Sequence, residues 1–391
     1  MGPVSGGPRP CGPRQWRPPS EPSAFQSPLP PRVFRVALHR RQGVRLHDAP
    51  SNQPSLVLDT SILTELDIAS PSDAPAPARR LAPPVDQAAE IAERAAQKAP
   101  LYLRLTTMAA VILPPIAVVG AMVLAWGGLF TWVDLALFVS MYIVTGLGIT
   151  IGYHRLYTHK SFVARGPVAA LFAIFGGMAG QGPVIWWAAT HRSHHQHSDH
   201  EHDPHSPHAG RAPGVVGFVK GFLHAHMGWL FADLRADMKR YVPDLLADKT
   251  TVRINSLFPL WVALGFAIPA VIGGLVTMTW TGAFLGFLWG GIVRLCALHH
   301  VTWSINSVCH IWGKQEYASG DQSRNNAIMG ILAFGEGWHN NHHAFPASAR
   351  HGLKWWQFDS SWVIIRTLEK LGLAKKVRLP SADRLAARKI D

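Results

Sequence analysis

Charged side chains are scarce in this chain: Asp, Glu, Lys and Arg make up 16% of its 391 residues, against about 25% in typical soluble domains. Hydrophobic residues reach 48% and are bunched into runs, which argues against an ordinary soluble globular protein and for a membrane protein. Cysteine is nearly absent. Cys11, Cys296 and Cys309 form no CxxC pair and are too few for a disulfide framework, so the working face suits a reducing compartment. A signal-peptide pattern of basic start, apolar core and small-residue cleavage site is also missing. The net charge of +13 is not gathered into a nucleic-acid-binding patch. Basic residues instead occupy the N-terminal segment and the polar stretches flanking the apolar runs, a distribution that orients membrane helices.

Proline is plentiful in one place. Residues 1–98 hold more than half of the 30 prolines and no sustained apolar periodicity, so a disordered extension is expected there. A short amphipathic helix is predicted around Asp86 to Lys98. Order then begins abruptly, in a body taken as 99–375 with a basic C-terminal tail at 376–391. Residues 105–127 and 131–151 are apolar stretches, the second carrying Asp134 near its start. Each approaches the ~20 residues that span a bilayer. Residues 257–278 and 281–301 repeat the pattern, again with a very short connection. Four spanning helices in two antiparallel hairpins follow. A weaker run, 167–188, is rich in Gly and broken by Pro183; it reads as a partly embedded or interfacial helix, with a full span as the alternative.

Histidine supplies the chemistry. Three clusters stand out: His154-Arg-Leu-Tyr-Thr-His159, His191-Arg-Ser-His194-His195 and His339-Asn-Asn-His342-His343. The last two share the spacing HxxHH, and on a helix positions i, i+3 and i+4 lie on one face, so each cluster is expected to aim its three imidazoles at one point. These eight histidines exceed the four ligands of a tetrahedral zinc and suffice for two metal ions. Within the clusters there is no Asp or Glu, so HExxH hydrolase chemistry is absent. Two nitrogen-ligated irons would instead activate dioxygen, and beside membrane helices that suggests oxidation of a lipid chain. All clusters fall on one side of the spans, together with Arg155, Lys160, Arg165, Arg192, Lys220, Arg235, Lys239, Arg240 and Arg253. The two opposite turns carry no Lys or Arg, so the positive-inside rule puts the histidines in the cytoplasm.

HRLYTH, HRSHH and EGWHNNHH, with Asn306-Ser-Val-Cys-His310 before the last, resemble the integral-membrane fatty acid desaturases, specifically the acyl-CoA Δ9 (stearoyl-CoA type) branch. The resemblance covers about residues 130 to 375 and includes His202-Asp-Pro-His205, Gly228-Trp-Leu and Thr302-Trp303. It implies an all-α integral membrane fold, with four transmembrane helices and a cytosolic helical cap holding a di-iron centre. Carried over by position, the metal ligands are His154, His159, His191, His194, His195, His310, His339, His342 and His343, with Asn306 reaching one iron through water. Gln181, Trp187, Thr302 and Trp303 match residues lining the bend of the acyl tunnel. The activity implied is removal of two hydrogens from neighbouring methylenes, with O2 as co-substrate, giving a cis double bond.

Two departures bear on the carrier. Where animal members have an Arg-Asp pair contacting CoA, this chain has Ala189-Thr190, and Ala232-Asp233 stands near the place of a second, basic pair. Acyl-CoA is the expected substrate, with acyl carrier protein or a glycerolipid as alternatives. No HPGG haem segment of a fused cytochrome b5 occurs, so a separate donor such as ferredoxin with its NAD(P)H reductase is implied, in a bacterial inner membrane. A di-iron lipid or alkane hydroxylase is the competing oxidoreductase. A metal transporter would need charges along the spans, where this chain has Asp134 and Arg294. Outside the ligand set, His197, His200, His202, His205 and His208 read as loop residues, with His202, Asp203 and His205 steadying ligands. His299 and His300 are expected at the membrane interface and Cys309 as a packed small residue.

Overall fold

The computed structural model describes residue 2 and residues 100–210, 213–232 and 236–390. Apart from Gly2, the expected disordered extension and the amphipathic helix around 86–98 lie outside the described residues, as do Asp233 and Arg235.

Among the described residues, four helices are long and apolar enough to cross a membrane: α1 (Leu101–Trp126), α2 (Trp132–Thr158), α7 (Phe258–Thr277) and α8 (Trp280–His310). Between them lie α3 (Gly166–Met178), α4 (Val184–His197), α5 (Val215–His226) and α6 (Lys249–Ser256). After α8 come the short helices α9 (Ala327–Leu332), α10 (His339–Ala344), α11 (Ser360–Lys370) and α12 (Ala382–Arg388). The run 167–188 is not one element: it divides into α3 and the start of α4 where Pro183 cannot continue a helix. A two-residue antiparallel pair, Val163–Ala164 with Ala374–Lys375, ties the end of α2 to the C-terminal segment.

The expected spans differ from the observed ones chiefly in reach. At 27 and 31 residues, α2 and α8 exceed the ~20 that a bilayer needs. Their last turns therefore continue into the cap and carry His154 and His310 with them. These two helices are half or more buried, whereas α1 and α7 turn most of their apolar surface outward.

Inside α2, Gly148–Thr158 winds as a π-helix. Its backbone bonds run i to i+5, and the last of them joins His159 N–H to the His154 carbonyl at 3.0 Å. The HxxxxH spacing is thus one π-turn. In an α-helix the two rings would point about 140° apart; here they meet at 4.8 Å between centroids. A glycine contact holds this segment against α3. A Cβ at Gly148 would lie 2.2 Å from the Gly176 nitrogen, and one at Gly176 would lie 2.5 Å from the Tyr153 ring. Gly148→Ala should therefore push α3 away and lower stability by about 1–3 kcal/mol. An unchanged thermal midpoint in detergent would show that the contact is not needed.

Arg294, inside α8, is fully buried. Its guanidinium donates to the carbonyls of Gly290 (3.1 Å), Met178 (3.1 Å) and Gly265 (2.9 Å). Backbone carbonyls thus satisfy this charge within the span, and the side chain pins α8 to α3 and α7. His299, expected at the interface, is buried instead, with Nε2 3.0 Å from the Ala179 carbonyl. His300 is half-buried and pairs with His226 at 3.0 Å. Cys309 is fully buried, as a packed small residue should be.

Candidate metal centre

Each predicted histidine falls into one of two converging sets. His154, His159, His191, His195 and His342 form the first; His194, His310, His339 and His343 form the second. Within each set the ligand-type atoms lie within 4.8 Å of one another.

The two HxxHH boxes do not each aim at one point. His191 and His195 of α4 go to the first set, and His194 to the second. On α10 the assignment is reversed: His339 and His343 go to the second set, His342 to the first. Helix geometry explains the split, because i and i+4 differ by only about 40° around the axis while i+3 lies about 100° from i+4. Each helix stands between the two sets and lends one side chain across.

Distances inside the sets fit cis ligands of a single ion. In the first, Nε2 of His342 lies 3.1 Å from that of His154 and 2.9 Å from that of His195. His195 and His191 are 3.0 Å apart through Nε2, and His159 and His154 are 3.1 Å apart. Two imidazole nitrogens about 2.1 Å from a metal at right angles would be about 3 Å apart. In the second set, Nε2 of His310 and His339 are 3.1 Å apart, while Nε2 of His194 and of His343 are buried without a hydrogen-bond partner.

Carboxylates behind the rings explain why these nitrogens are lone pairs. Glu336 accepts from Nδ1 of His154 at 2.5 Å, Asp203 from His194 at 2.9 Å, Asp199 from His310 at 2.8 Å and Asp321 from His343 at 2.5 Å. With the proton on Nδ1, each of these Nε2 atoms faces its set as an acceptor. Burial pushes the carboxyls of Asp199, Asp203, Asp321 and Glu336 up, but the facing histidines outweigh it and hold all four below the usual carboxylate range. Burial, reinforced by neighbouring imidazoles, holds His159, His191, His195, His339 and His342 well below the ordinary histidine value. Neutral imidazole is the form that binds metal. Packed nitrogen lone pairs at 3 Å, with orphaned Nε2 atoms among them, fit a pair of metal ions, and iron is among those that imidazole suits.

Asp203 was expected as a steadying residue and holds His194; His205 packs on the His194 ring at 4.2 Å. His202 does not join them and contacts His197. Glu336, Asp199 and Asp321 escaped sequence reasoning. Glu336 sits three residues before a box, inside the quoted EGWHNNHH, and had a signal; Asp199 and Asp321 reach their histidines from 111 and 22 residues away and had none.

A cavity opens beside both sets. His154, His191 and His339 line it together with Trp187, Thr302 and Asn306, and the rest of its wall is largely apolar, including Ile149, Leu298, Val301 and Ile305. Gln181 reaches this wall by donating to Thr302 Oγ1 at 2.9 Å. Trp187 lies over His191, with centroids 5.0 Å apart and planes 17° apart. Trp303 is buried and packs against the rings of His226, His299 and His300.

The family model described as fatty acid desaturase matches residues 130–375. The chain belongs to the fatty acid desaturase family. It is similar to a hex-5-enoyl-[acyl-carrier protein] acetylenase of Moorena producens (strain JHB), 41% identical over 280 residues, covering 71% of this chain and 87% of that protein. An sn-1 stearoyl-lipid 9-desaturase of Synechocystis sp. (strain ATCC 27184 / PCC 6803 / Kazusa) is 39% identical over 261 residues, 66% of this chain and 76% of the other. An acyl-CoA 5-desaturase of Anemone leveillei is 39% identical over 257 residues, 64% and 74%. As a member of that family it is an oxidoreductase acting on fatty acyl chains. Its relatives are named for three different acyl carriers, so membership alone fixes neither carrier nor bond position.

Proposed function

We propose that this protein inserts a cis double bond at Δ9 of a saturated acyl chain, using O2 at two irons held by the nine histidines. One observation carries the reading: the apolar cavity is lined by histidines of both sets, so a chain within it lies against the metal positions. A bound, reduced iron pair supplies the dioxygen activation and hydrogen removal. The protein supplies position. Methylenes offer no chemical handle, so the site of attack depends on how rigidly the chain is held. The Gln181–Thr302 hydrogen bond and the Trp187 ring fix the wall where the cavity passes the histidines. Asn306 lines the same wall and suits a water bridge to one of the irons. Buried Asp199, Asp203, Asp321 and Glu336 hold protons on Nδ1 and keep the ligand nitrogens aimed inward.

Acyl-CoA is the carrier under the stearoyl-CoA-type resemblance. A lipid-linked chain is favoured by one specific observation: Ala189 and Thr190, at the place of the charged CoA-contacting pair, are buried and uncharged. With the histidines on the cytoplasmic side of a bacterial inner membrane, as the basic flanks indicate, a soluble ferredoxin and its NAD(P)H reductase can supply electrons.

Expression in cells whose fatty acids are saturated, followed by double-bond location by mass spectrometry, tests the reading. A Δ9 monoene is expected. Separating free thioesters from intact glycerolipids after a short isotopic pulse identifies the carrier. No unsaturation despite supplied iron and a competent ferredoxin system would reject desaturation, and an alcohol product would assign hydroxylation instead.

A further inference from the structure

The reaction proposed above consumes two electrons: R–CH2–CH2–R′ + O2 + 2 e⁻ + 2 H⁺ → R–CH=CH–R′ + 2 H2O. A reductant must therefore be coupled to histidines that are buried, and the four of the second set are all buried. A short route leads outward from them through the residue next to His339 in the chain. Trp338 directly precedes His339, is 3% exposed, and is fixed by its Nε1–H donating to the Phe358 carbonyl at 2.8 Å. Its ring meets the ring of Trp356 edge-on, with centroids 5.6 Å apart. Trp356 is 48% exposed and its neighbour Trp355 is 92% exposed. Two indoles thus connect a candidate ligand to the protein surface.

Cations surround that exit. Lys354 Nζ lies 5.7 Å from the Trp356 ring centroid and 3.0 Å from Glu316 Oε1. The Glu316 carbonyl accepts from Ile390 N–H at 3.0 Å, and Tyr317 pairs with Lys389, so the C-terminal segment is bound to the cap at this point. Arg388 donates to the carbonyl of Ala344, the residue after His343, at 2.5 Å. Lys314, Lys354, Arg388 and Lys389 are exposed along this part of the cap, and Glu316 is buried.

We propose that this patch docks an acidic one-electron carrier protein, with Trp356 against Trp338 as the contact through which electrons reach His339. The proposal rests on the oxidative reading above. Aromatic side chains and arginine are enriched in docking interfaces, and a field of one sign speeds encounter with a partner of the other. An anionic membrane would also attract the cations. It would give no role to the ring contact between Trp356 and the residue preceding a candidate ligand, so the protein partner is favoured.

The test uses full-length enzyme in nanodiscs, with a plant-type [2Fe–2S] ferredoxin and cytochrome b5 as acidic probes. Lys354→Glu combined with Lys389→Glu should slow reduction of the iron-loaded enzyme by a reduced probe about tenfold at low salt. It should also weaken binding of the probe to metal-free protein, while dithionite-driven product formation stays at the wild-type level. Trp356→Leu should slow reduction with probe binding and thermal midpoint retained. Wild-type reduction rates in these variants, or neither probe reducing the wild type, would overturn the proposal. So would a defect confined to nanodiscs containing phosphatidylglycerol, which would mark a lipid contact. Failure of dithionite-driven turnover in the wild type would instead strike the desaturase reading itself.

Discussion

His342→Ala is expected to bind less iron than the wild type and to form no unsaturated product. The side chain is fully buried, and its Nε2 stands within 3.1 Å of the Nε2 atoms of both His154 and His195. It is also the one residue that α10 lends to the first set. Removing it leaves a first set built from α2 and α4 alone, and takes away the direct link by which one HxxHH helix aligns both sets. His194→Ala is the reciprocal experiment on α4 and should behave alike. His200, exposed in the loop after α4, is the control, and His200→Ala should keep full product. Iron measured by mass spectrometry on purified protein, alongside acyl-chain analysis of the expressing cells, reads both quantities. Full activity in His342→Ala would remove it from the ligand set, whatever its position.

These variants also mark how far the sequence was legible. Four spans, their hairpin pairing and the position of the histidine boxes could be read because apolar runs and spacing are local signals. The division of labour within the boxes could not. HxxHH puts three rings on one face, but whether they share an ion depends on what faces them, and α4 and α10 each face two sets. HxxxxH gave no reason to expect a π-helix, since that winding depends on α3 packing closely at Gly148 and Gly176. Asp199 and Asp321 were invisible for the same reason: a carboxylate behind a histidine is defined by the fold and not by distance along the chain. Arg155 illustrates the limit from the other side. Counted among the basic flanks that orient the membrane, it is fully buried, bonded to Glu336, Asp359 and the Ala349 carbonyl.

Glu336→Ala should be the most damaging change outside the histidines, and Glu336→Gln separates its two effects. One oxygen accepts from His154 Nδ1 at 2.5 Å; the other accepts from Arg155 Nε and Nη2 at 3.3 and 3.2 Å. All three residues are buried. Truncation to alanine leaves the Arg155 charge paired with Asp359 alone and the His154 proton without an acceptor. Breaking a buried pair in this way costs about 3–5 kcal/mol, so the thermal midpoint should fall along with bound iron. Glutamine keeps the shape and one acceptor oxygen but loses the charge. The fold should then largely survive, while the imidazole of His154 becomes a weaker donor, lowering iron affinity by about 10–100-fold. Competition with a chelator of known affinity measures that loss without relying on turnover. If Glu336→Gln held iron as tightly as the wild type, the carboxylate would serve only to neutralise Arg155, and His154 would take its orientation from the π-turn alone.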